Sequence, residues 1–130
     1  MEETMISFEE FLMDDSGPIY LQIIGYIKRG IVAGTIQNGD EMPSRRMLSA
    51  LLGVNPNTIQ KAYAMLEEQG IIRSHHGAKS VVVLEAGTVE QIRDELLEHT
   101  VKSVINSMKQ MGVSCREATE LLSKYWDWEV

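Results

Sequence analysis

The most constraining feature of the sequence is a pair of short amphipathic segments separated by only three residues. The first segment begins after Ser44 and the second after Asn55, and both are residue types preferred as helix N-caps. Gly53 ends the first segment, and Pro56 suits the first turn of the second. Because a connection this short forces a steep angle between two helices, the sequence predicts a helix–turn–helix that ends at Gly70.

Apolar periodicity predicts one helix before this pair and a hairpin after it. A helix that opens at Pro18 and ends at Gly34 is predicted because isoleucines recur there at steps of three or four residues. Two β-branched runs at 71–74 and 80–84, separated by a short basic tip, predict a hairpin. We therefore predict a mainly α fold with a small β-hairpin, namely a winged helix-turn-helix.

The last third of the chain predicts two more helices, which begin at capping boxes formed by Thr88 with Gln91 and by Ser114 with Glu117. Two amphipathic helices cannot bury their apolar faces alone, so we predict that they form a dimerisation segment against a second copy. The alternative is that they fold back on their own winged domain. The predicted dimerisation residues are Ile92, Leu96, Val104, Met108, Leu121, Leu122, Tyr125 and Trp126.

These patterns divide the chain into three predicted parts. Residues 1–17 form an acidic N-terminal tail, residues 18–84 the winged helix-turn-helix, and residues 85–130 the helical dimerisation segment. The tail contains a small apolar cluster, which is compatible with either a docked strand or a single helical turn. The cluster consists of Ile6, Phe8, Phe11 and Leu12.

The net charge of −7 at first argues against a nucleic-acid partner, but the charge is unevenly distributed. Residues 1–17 contain six acidic side chains and no basic one. Residues 18–84 contain seven basic and four acidic side chains, and residues 85–130 contain five basic and nine acidic ones. The predicted winged domain is thus the only part with a basic excess, as phosphate binding requires, although so small an excess is also typical of an ordinary mixed surface.

The second helix of the pair exposes a face of hydrogen-bonding side chains. Asn and Gln can form two hydrogen bonds with adenine, and Thr can bond a base or contact a thymine methyl group. Recognition helices present their N-terminal turns to base edges. The alternative is that Asn55 only caps the helix and that the other side chains are solvated surface. The residues predicted here to bind DNA are Asn55, Asn57, Thr58, Gln60 and Lys61.

Basic residues flank this helix on both sides. Arg45 and Arg46 open the preceding helix, where the helix dipole disfavours cations, so an external phosphate or guanine edge would explain them. At the hairpin tip, His75, His76 and Lys79 are placed to reach the minor groove or flanking phosphates. The alternatives are a harmless exposed arginine pair and a surface turn without a role.

Four segments carry a family resemblance. The sequences DEMPSRRMLS at 40–49, GVNPNTIQKAY at 53–63 and LEEQGII at 66–72 closely resemble the GntR family of bacterial transcription regulators. PIYLQI at 18–23, the Asn-Pro-Asn-Thr turn and the short helical C-terminus resemble its YtrA-type subfamily. The specific motifs cover about residues 17–84, and beyond them the resemblance rests on length and helical pattern.

The resemblance implies a homodimeric DNA-binding regulator, usually a repressor, which would read an inverted repeat with two recognition helices. In the family, the position occupied here by Arg46 contacts DNA, and the wing-tip contact falls on His76 and Gly77. The family wing often reads Arg-Arg-Gly-Lys-Gly, whereas histidines replace the arginine pair here and the second glycine is missing. An unidentified small-molecule effector at the dimer interface is compatible with the resemblance.

Other classes of function find less support in the sequence. A winged-helix protein-interaction module is the alternative, because the acidic ends would suit a basic partner. Catalysis is not expected, since the chain has three histidines, one cysteine and no glycine-rich phosphate loop. His75 and His76 lack the further Cys or His residues that a zinc site needs, so no metal or cofactor is predicted.

The predicted location is the cytoplasm. A single cysteine, Cys115, excludes an internal disulfide bond and fits a reducing compartment. The N-terminus carries Glu2 and Glu3 where a signal peptide would carry lysine or arginine. Apolar runs are far too short to span a bilayer, so no membrane partner is expected.

Overall fold

The computed structural model describes residues 4–75 and 79–129. Within these residues the chain forms five helices and a two-stranded antiparallel hairpin, which confirms the predicted mainly α class with a small hairpin. The elements in chain order are α1 (Ile19–Ala33), α2 (Arg45–Leu52), α3 (Pro56–Glu68), β1 (Ile72–His75), β2 (Lys79–Val82), α4 (Thr88–Gln110) and α5 (Cys115–Tyr125).

The core of the winged domain forms around α3, which contacts α1, α2 and β1. The isoleucine face of α1 is buried as predicted, and Leu48 of α2 and Val82 of β2 are completely enclosed. Each such aliphatic side chain contributes about 1.5–3 kcal/mol relative to an exposed position. The core residues of the three helices are Ile23, Ile24, Ile27, Ile31, Leu48, Ile59, Ala62, Tyr63 and Leu66.

The short helix α2 buries less of its apolar surface than its composition indicates. Leu48 faces α3, but Met47 and Leu51 are exposed, Leu51 by 63%. Successive residues of a helix are rotated by about 100°. Met47 directly precedes Leu48, and Leu51 directly precedes Leu52. The side chains of Met47 and Leu51 are therefore rotated away from the side of the helix that faces the core.

The acidic N-terminal segment is docked on α1 through an aromatic cluster. The rings of Phe8 and Phe11 lie 4.9 and 5.3 Å from the ring of Tyr26, measured between centroids. The Tyr26 hydroxyl donates a 2.7 Å hydrogen bond to the carbonyl of Ser7. Burial raises the pKa of this tyrosine, and the charge of Glu10 adds to the effect. Three aromatic rings thus hold a segment that charge alone would leave in solvent.

Backbone pairing also anchors this segment, as the docked-strand alternative predicts. The amide of Glu41 donates to the carbonyl of Thr4, and the amide of Ile6 donates to the carbonyl of Glu41. The same connector pairs with β2, because Met42 donates to Ser80 at 2.8 Å. The predicted turn before Pro43 therefore includes a short extended stretch between the N-terminal segment and the wing. The apolar side chain of Leu12, in contrast, is 84% exposed.

The hairpin has a regular antiparallel register in which Ile72 faces Val82 and Ser74 faces Ser80. The Asn38 side chain accepts a 2.7 Å hydrogen bond from the amide of Leu84 and closes the base of the wing. The strands begin and end within two residues of the predicted runs. Residues 76–78 of the tip lie outside the described part of the chain.

The contacts divide the chain into two compact units, of which the first extends to Arg93 and the second begins at Asp94. The first unit therefore includes both the N-terminal segment and the first turns of α4. In the second unit, Ser114 caps α5 by accepting a 3.2 Å hydrogen bond from the amide of Glu117, as predicted. Thr88 was predicted to be the N-cap of α4. This prediction is wrong by one residue, because Thr88 is itself the first residue of the helix.

Candidate nucleic-acid interface

The turn between α2 and α3 is held by local hydrogen bonds. Ser44 caps α2 by accepting from the amide of Met47, and Asn55 caps α3 by accepting from the amide of Asn57 at 2.8 Å. Gly53 has a φ of +66°, in the left-handed region where residues with a Cβ are disfavoured. The Ser49 hydroxyl donates a 2.7 Å hydrogen bond to the Val54 carbonyl and closes the turn.

The N-terminal turns of α3 present an uncharged polar face. Asn57 and Gln60 are exposed, and Thr58 is half-buried beside them. No acidic side chain occurs on this helix before Glu67. Side-chain amides at the start of a helix can reach base edges in a major groove, and the absence of carboxylates avoids repulsion from the phosphates. The structure therefore brings the predicted recognition residues to one accessible face.

Lys61 occupies a different environment from the amide side chains. Its ammonium group lies 4.0 Å from the centroid of the Tyr20 ring on α1. Such a cation–π contact attracts the charge without neutralising it. Lys61 thus ties α3 to the beginning of α1, and any contact of Lys61 with a phosphate competes with this aromatic partner.

The two arginines that open α2 differ in their surroundings. Arg45 is half-buried, its guanidinium lies 4.9 Å from the centroid of the Tyr63 ring, and its buried Nε has no hydrogen-bond partner among the described residues. Arg46 is exposed, and no partner of its guanidinium is found in the described part of the chain. Arg46 is therefore the arginine whose donors remain available to an external anion.

Tyr63 is a supporting residue that the sequence analysis did not assign to the site. Its hydroxyl donates a 2.6 Å hydrogen bond to the carbonyl of Pro43, just before α2 begins. Burial raises the pKa of Tyr63, and the neighbouring Arg45 guanidinium opposes the shift. The tyrosine therefore stays protonated and links α3 to the start of α2. In the sequence, Tyr63 is recognisable only as a residue of the apolar stripe of α3, and this position does not reveal its hydrogen bond to Pro43.

Of the predicted wing residues, Lys79 is the one whose side chain the structure describes. Lys79, at the start of β2, forms a 3.2 Å ion pair with Glu41. His76 and Gly77 lie outside the described residues, so their predicted contacts stay predictions. Arg73, which was not among the predicted site residues, is an exposed base on β1 that pairs in register with Val81. Because Arg73 lies within a β-branched run, the sequence pattern indicates only an ordinary strand residue at this position.

The second unit exposes the apolar side chains that were predicted to dimerise. On α5, Leu122 and Tyr125 are exposed and Leu121 is half-buried, and Trp126, which follows the helix, is also exposed. On α4, Val104 is exposed, and Leu96 and Met108 are half-buried. Two exposed residues of the same stripe, Leu97 and Ile105, were missed although they follow the same helical period.

Ile92 is the exception among the predicted dimerisation residues. It is only 4% exposed within its own chain and belongs to the first unit. A side chain that is already buried has almost no surface to offer a second copy. Its prediction as an interface residue is therefore corrected, and Ile92 contributes to the packing of its own chain.

Comparison with known proteins identifies the family. Residues 19–82 match the family described as bacterial regulatory proteins, gntR family. The uncharacterized HTH-type transcriptional regulator YhcF of Bacillus subtilis is 33% identical over 105 residues, which cover 81% of this chain and 87% of YhcF. The chain belongs to the gntR family. This gntR-family chain is accordingly a transcriptional regulator whose first unit contains a winged-helix DNA-binding domain.

Two further similarities extend beyond the winged domain of this gntR-family member. The HTH-type transcriptional repressor YtrA of Bacillus subtilis is 34% identical over 113 residues, which cover 87% of this chain and 82% of YtrA. A GntR family transcriptional regulator from Listeria monocytogenes has a solved structure with a TM-score of 0.74 and 37% identity, over 86% of this chain and 98% of that one. The YtrA-type resemblance is thereby confirmed, including the helical C-terminal part.

The relatives named here are transcriptional regulators rather than enzymes. In the part of the chain that the structure describes, no helix combines the length and the apolar character needed to cross a membrane.

Proposed function

We propose that the chain acts in the cytoplasm as a homodimeric repressor that binds an inverted-repeat operator. The observation that carries the proposal is the accessible face of α3, where Asn57 and Gln60 are exposed, together with the exposed Arg46 at the start of α2. Amide side chains discriminate bases, whereas the arginine can bind a phosphate or a guanine edge. The name of the similar protein YtrA, a transcriptional repressor, supports repression as the output.

The exposed apolar stripe of α4 supports the homodimer. Leu97, Val101 and Val104 follow one another at steps of four and three residues, and Ile105 lies four residues after Val101, so all four lie on one side of the helix. Soluble helices rarely leave such a stripe in water, and a second copy of the same stripe is a self-complementary partner. A twofold assembly through this contact would contain two copies of α3, as recognition of an inverted repeat requires.

Selection of bound sequences from random duplex DNA tests the proposal. We expect enrichment of an inverted repeat whose half-sites lie about one helical turn, or a simple multiple of it, apart. Enrichment of an asymmetric site would contradict the homodimer on DNA. Failure to retain random duplex or heparin at low salt would contradict DNA binding and favour a protein-interaction module.

Replacement of Arg46 by alanine should weaken binding to the selected operator by about 1–3 kcal/mol. The side chain is exposed, so its removal leaves the core of α2 intact. Gel-shift titration at one fixed salt concentration measures the effect. The matched control is Arg29→Ala, which removes the same charge beside the N-terminal segment. Equal affinities for the wild type and Arg46→Ala would exclude Arg46 from the interface.

Replacement of Thr58 by alanine should reduce discrimination between operator and random DNA more than it reduces binding to random DNA. The reason is that a hydroxyl or methyl contact with a base carries sequence information, whereas phosphate contacts do not. Competition titrations with both duplexes measure the ratio of the affinity for the operator to the affinity for random DNA. Thr58→Ser keeps the hydroxyl and serves as the conservative control. Equal losses on both duplexes would make Thr58 a residue that positions the helix.

A further inference from the structure

The ion pair between Lys79 and Glu41 lies where the wing meets the connector before α2. The Lys79 side chain is 65% exposed, whereas that of Glu41 is only 20% exposed. The lysine is thus accessible to an external anion, and the glutamate is largely enclosed. A phosphate that approaches the wing must compete with a carboxylate already 3.2 Å from the ammonium group.

Glu41 is held in place by its backbone. Its amide donates to Thr4 and its carbonyl accepts from Ile6, so the N-terminal segment binds it on one side. On the other side it forms an antiparallel bridge with Val81 of β2. Because its backbone is fixed, the Glu41 carboxylate can move only by rotation of its own side chain, so a Lys79 side chain that swings toward DNA leaves it and breaks the ion pair.

We infer that Glu41 is a positioning residue that competes intramolecularly with DNA phosphate for Lys79. In the unbound protein, Glu41 holds the lysine, and duplex binding requires the ion pair to break. Exposed ion pairs are weak, so a phosphate can displace the carboxylate, but the binding affinity is lowered by the strength of the pair. The inference rests on the proposed DNA binding and adds a residue that lowers the affinity of the protein for DNA.

This competition has a specific signature because lysine–phosphate contacts carry no sequence information. Glu41 should lower the affinity for operator and for random duplex by the same factor. It should also lower the net number of cations released on binding, because the carboxylate that loses Lys79 takes up a cation in its place. A residue with only a structural role would change stability without changing the slope of log K against log salt.

The test is Glu41→Gln in the full chain, with operator and random duplex as probes. We expect affinity for both duplexes to rise about two- to fivefold. The slope of log K against log salt should become steeper by up to about one unit. Glutamine has the same shape as glutamate and leaves the backbone pairing in place, so we expect the variant to fold. Thermal melting verifies that it does.

Two controls separate the ion pair from the general loss of an acidic charge. Glu9→Gln makes the same charge change in the N-terminal segment and should leave affinity and salt slope unchanged. In the Lys79→Met background, Glu41→Gln should have no effect on either duplex. A gain that persists without Lys79, or an affinity of Glu41→Gln equal to that of the wild type, would overturn the inference while DNA binding stands. A wild type that binds no duplex would overturn the proposed function and the inference with it.

Discussion

Replacement of Phe8 by alanine is expected to lower the free energy of unfolding of the first unit by about 3–5 kcal/mol. The ring is almost completely buried and lies against both Phe11 and Tyr26. Truncation removes the transfer free energy of the ring and leaves a cavity that the docked segment can only partly close. Urea denaturation followed by circular dichroism measures the change, from the midpoint and the slope of the transition.

Leu12 provides the matched control in the same segment. Because its side chain is 84% exposed, Leu12→Ala should change the free energy of unfolding by less than about 0.5 kcal/mol. The pair of variants distinguishes a docked segment from a solvated tail. If Phe8→Ala unfolded at the same urea concentration as Leu12→Ala, the segment would not be part of the core in solution.

Replacement of Val101 by glutamate is expected to convert the proposed homodimer to a monomer and to weaken binding to the proposed inverted repeat at least about 100-fold, or about 2.8 kcal/mol. Val101 is 54% exposed in the single chain, so the substitution leaves the core of the protomer untouched. If α4 pairs with its own copy through this stripe, the substitution would bury a carboxylate of each protomer among apolar side chains, which is strongly unfavourable. Sedimentation equilibrium measures the assembly, and gel shifts on full and half operators measure the affinity.

Asn106 provides the control for this charge. It is an exposed residue on the opposite side of α4, so Asn106→Glu adds the same charge outside the apolar stripe. This variant should remain dimeric and bind the operator as the wild type does. A dimeric Val101→Glu protein would show that α4 is not the interface, and a monomeric Asn106→Glu protein would show that charge alone disrupts assembly.

The helix–turn–helix of α2 and α3 was predictable from sequence because its signals are local. Ser44 and Asn55 accept hydrogen bonds from amides two or three residues away, so a short window of sequence contains both partners. The polar face of α3 was predictable for a related reason, since the helical period alone separates Asn57 and Gln60 from the buried stripe. The period could not predict the exposure of Leu51, which depends on how much of α2 fits against α3.

The pairing of basic side chains within the site was not predictable from the sequence pattern. A pattern assigns Lys61 and Lys79 to the surface, but it does not reveal that Tyr20 and Glu41 are their neighbours. These partners lie far from Lys61 and Lys79 along the chain. The sequence pattern is equally compatible with many other surface residues as neighbours of the two lysines. Ile92 shows the same limit, because its helical position fits a dimer stripe and only the folded chain buries it.

The amino-acid sequence by itself determined the starts of α2 and α3, the turn at Gly53 and the polar character of α3, since caps, glycine conformations and helical periods act between near neighbours. Tertiary structure alone decided that the acidic N-terminal segment docks on Tyr26 and that Glu41 meets the wing lysine. Both contacts depend on the closure of long loops, and which distant groups then meet is set by packing of the whole unit rather than by any local preference.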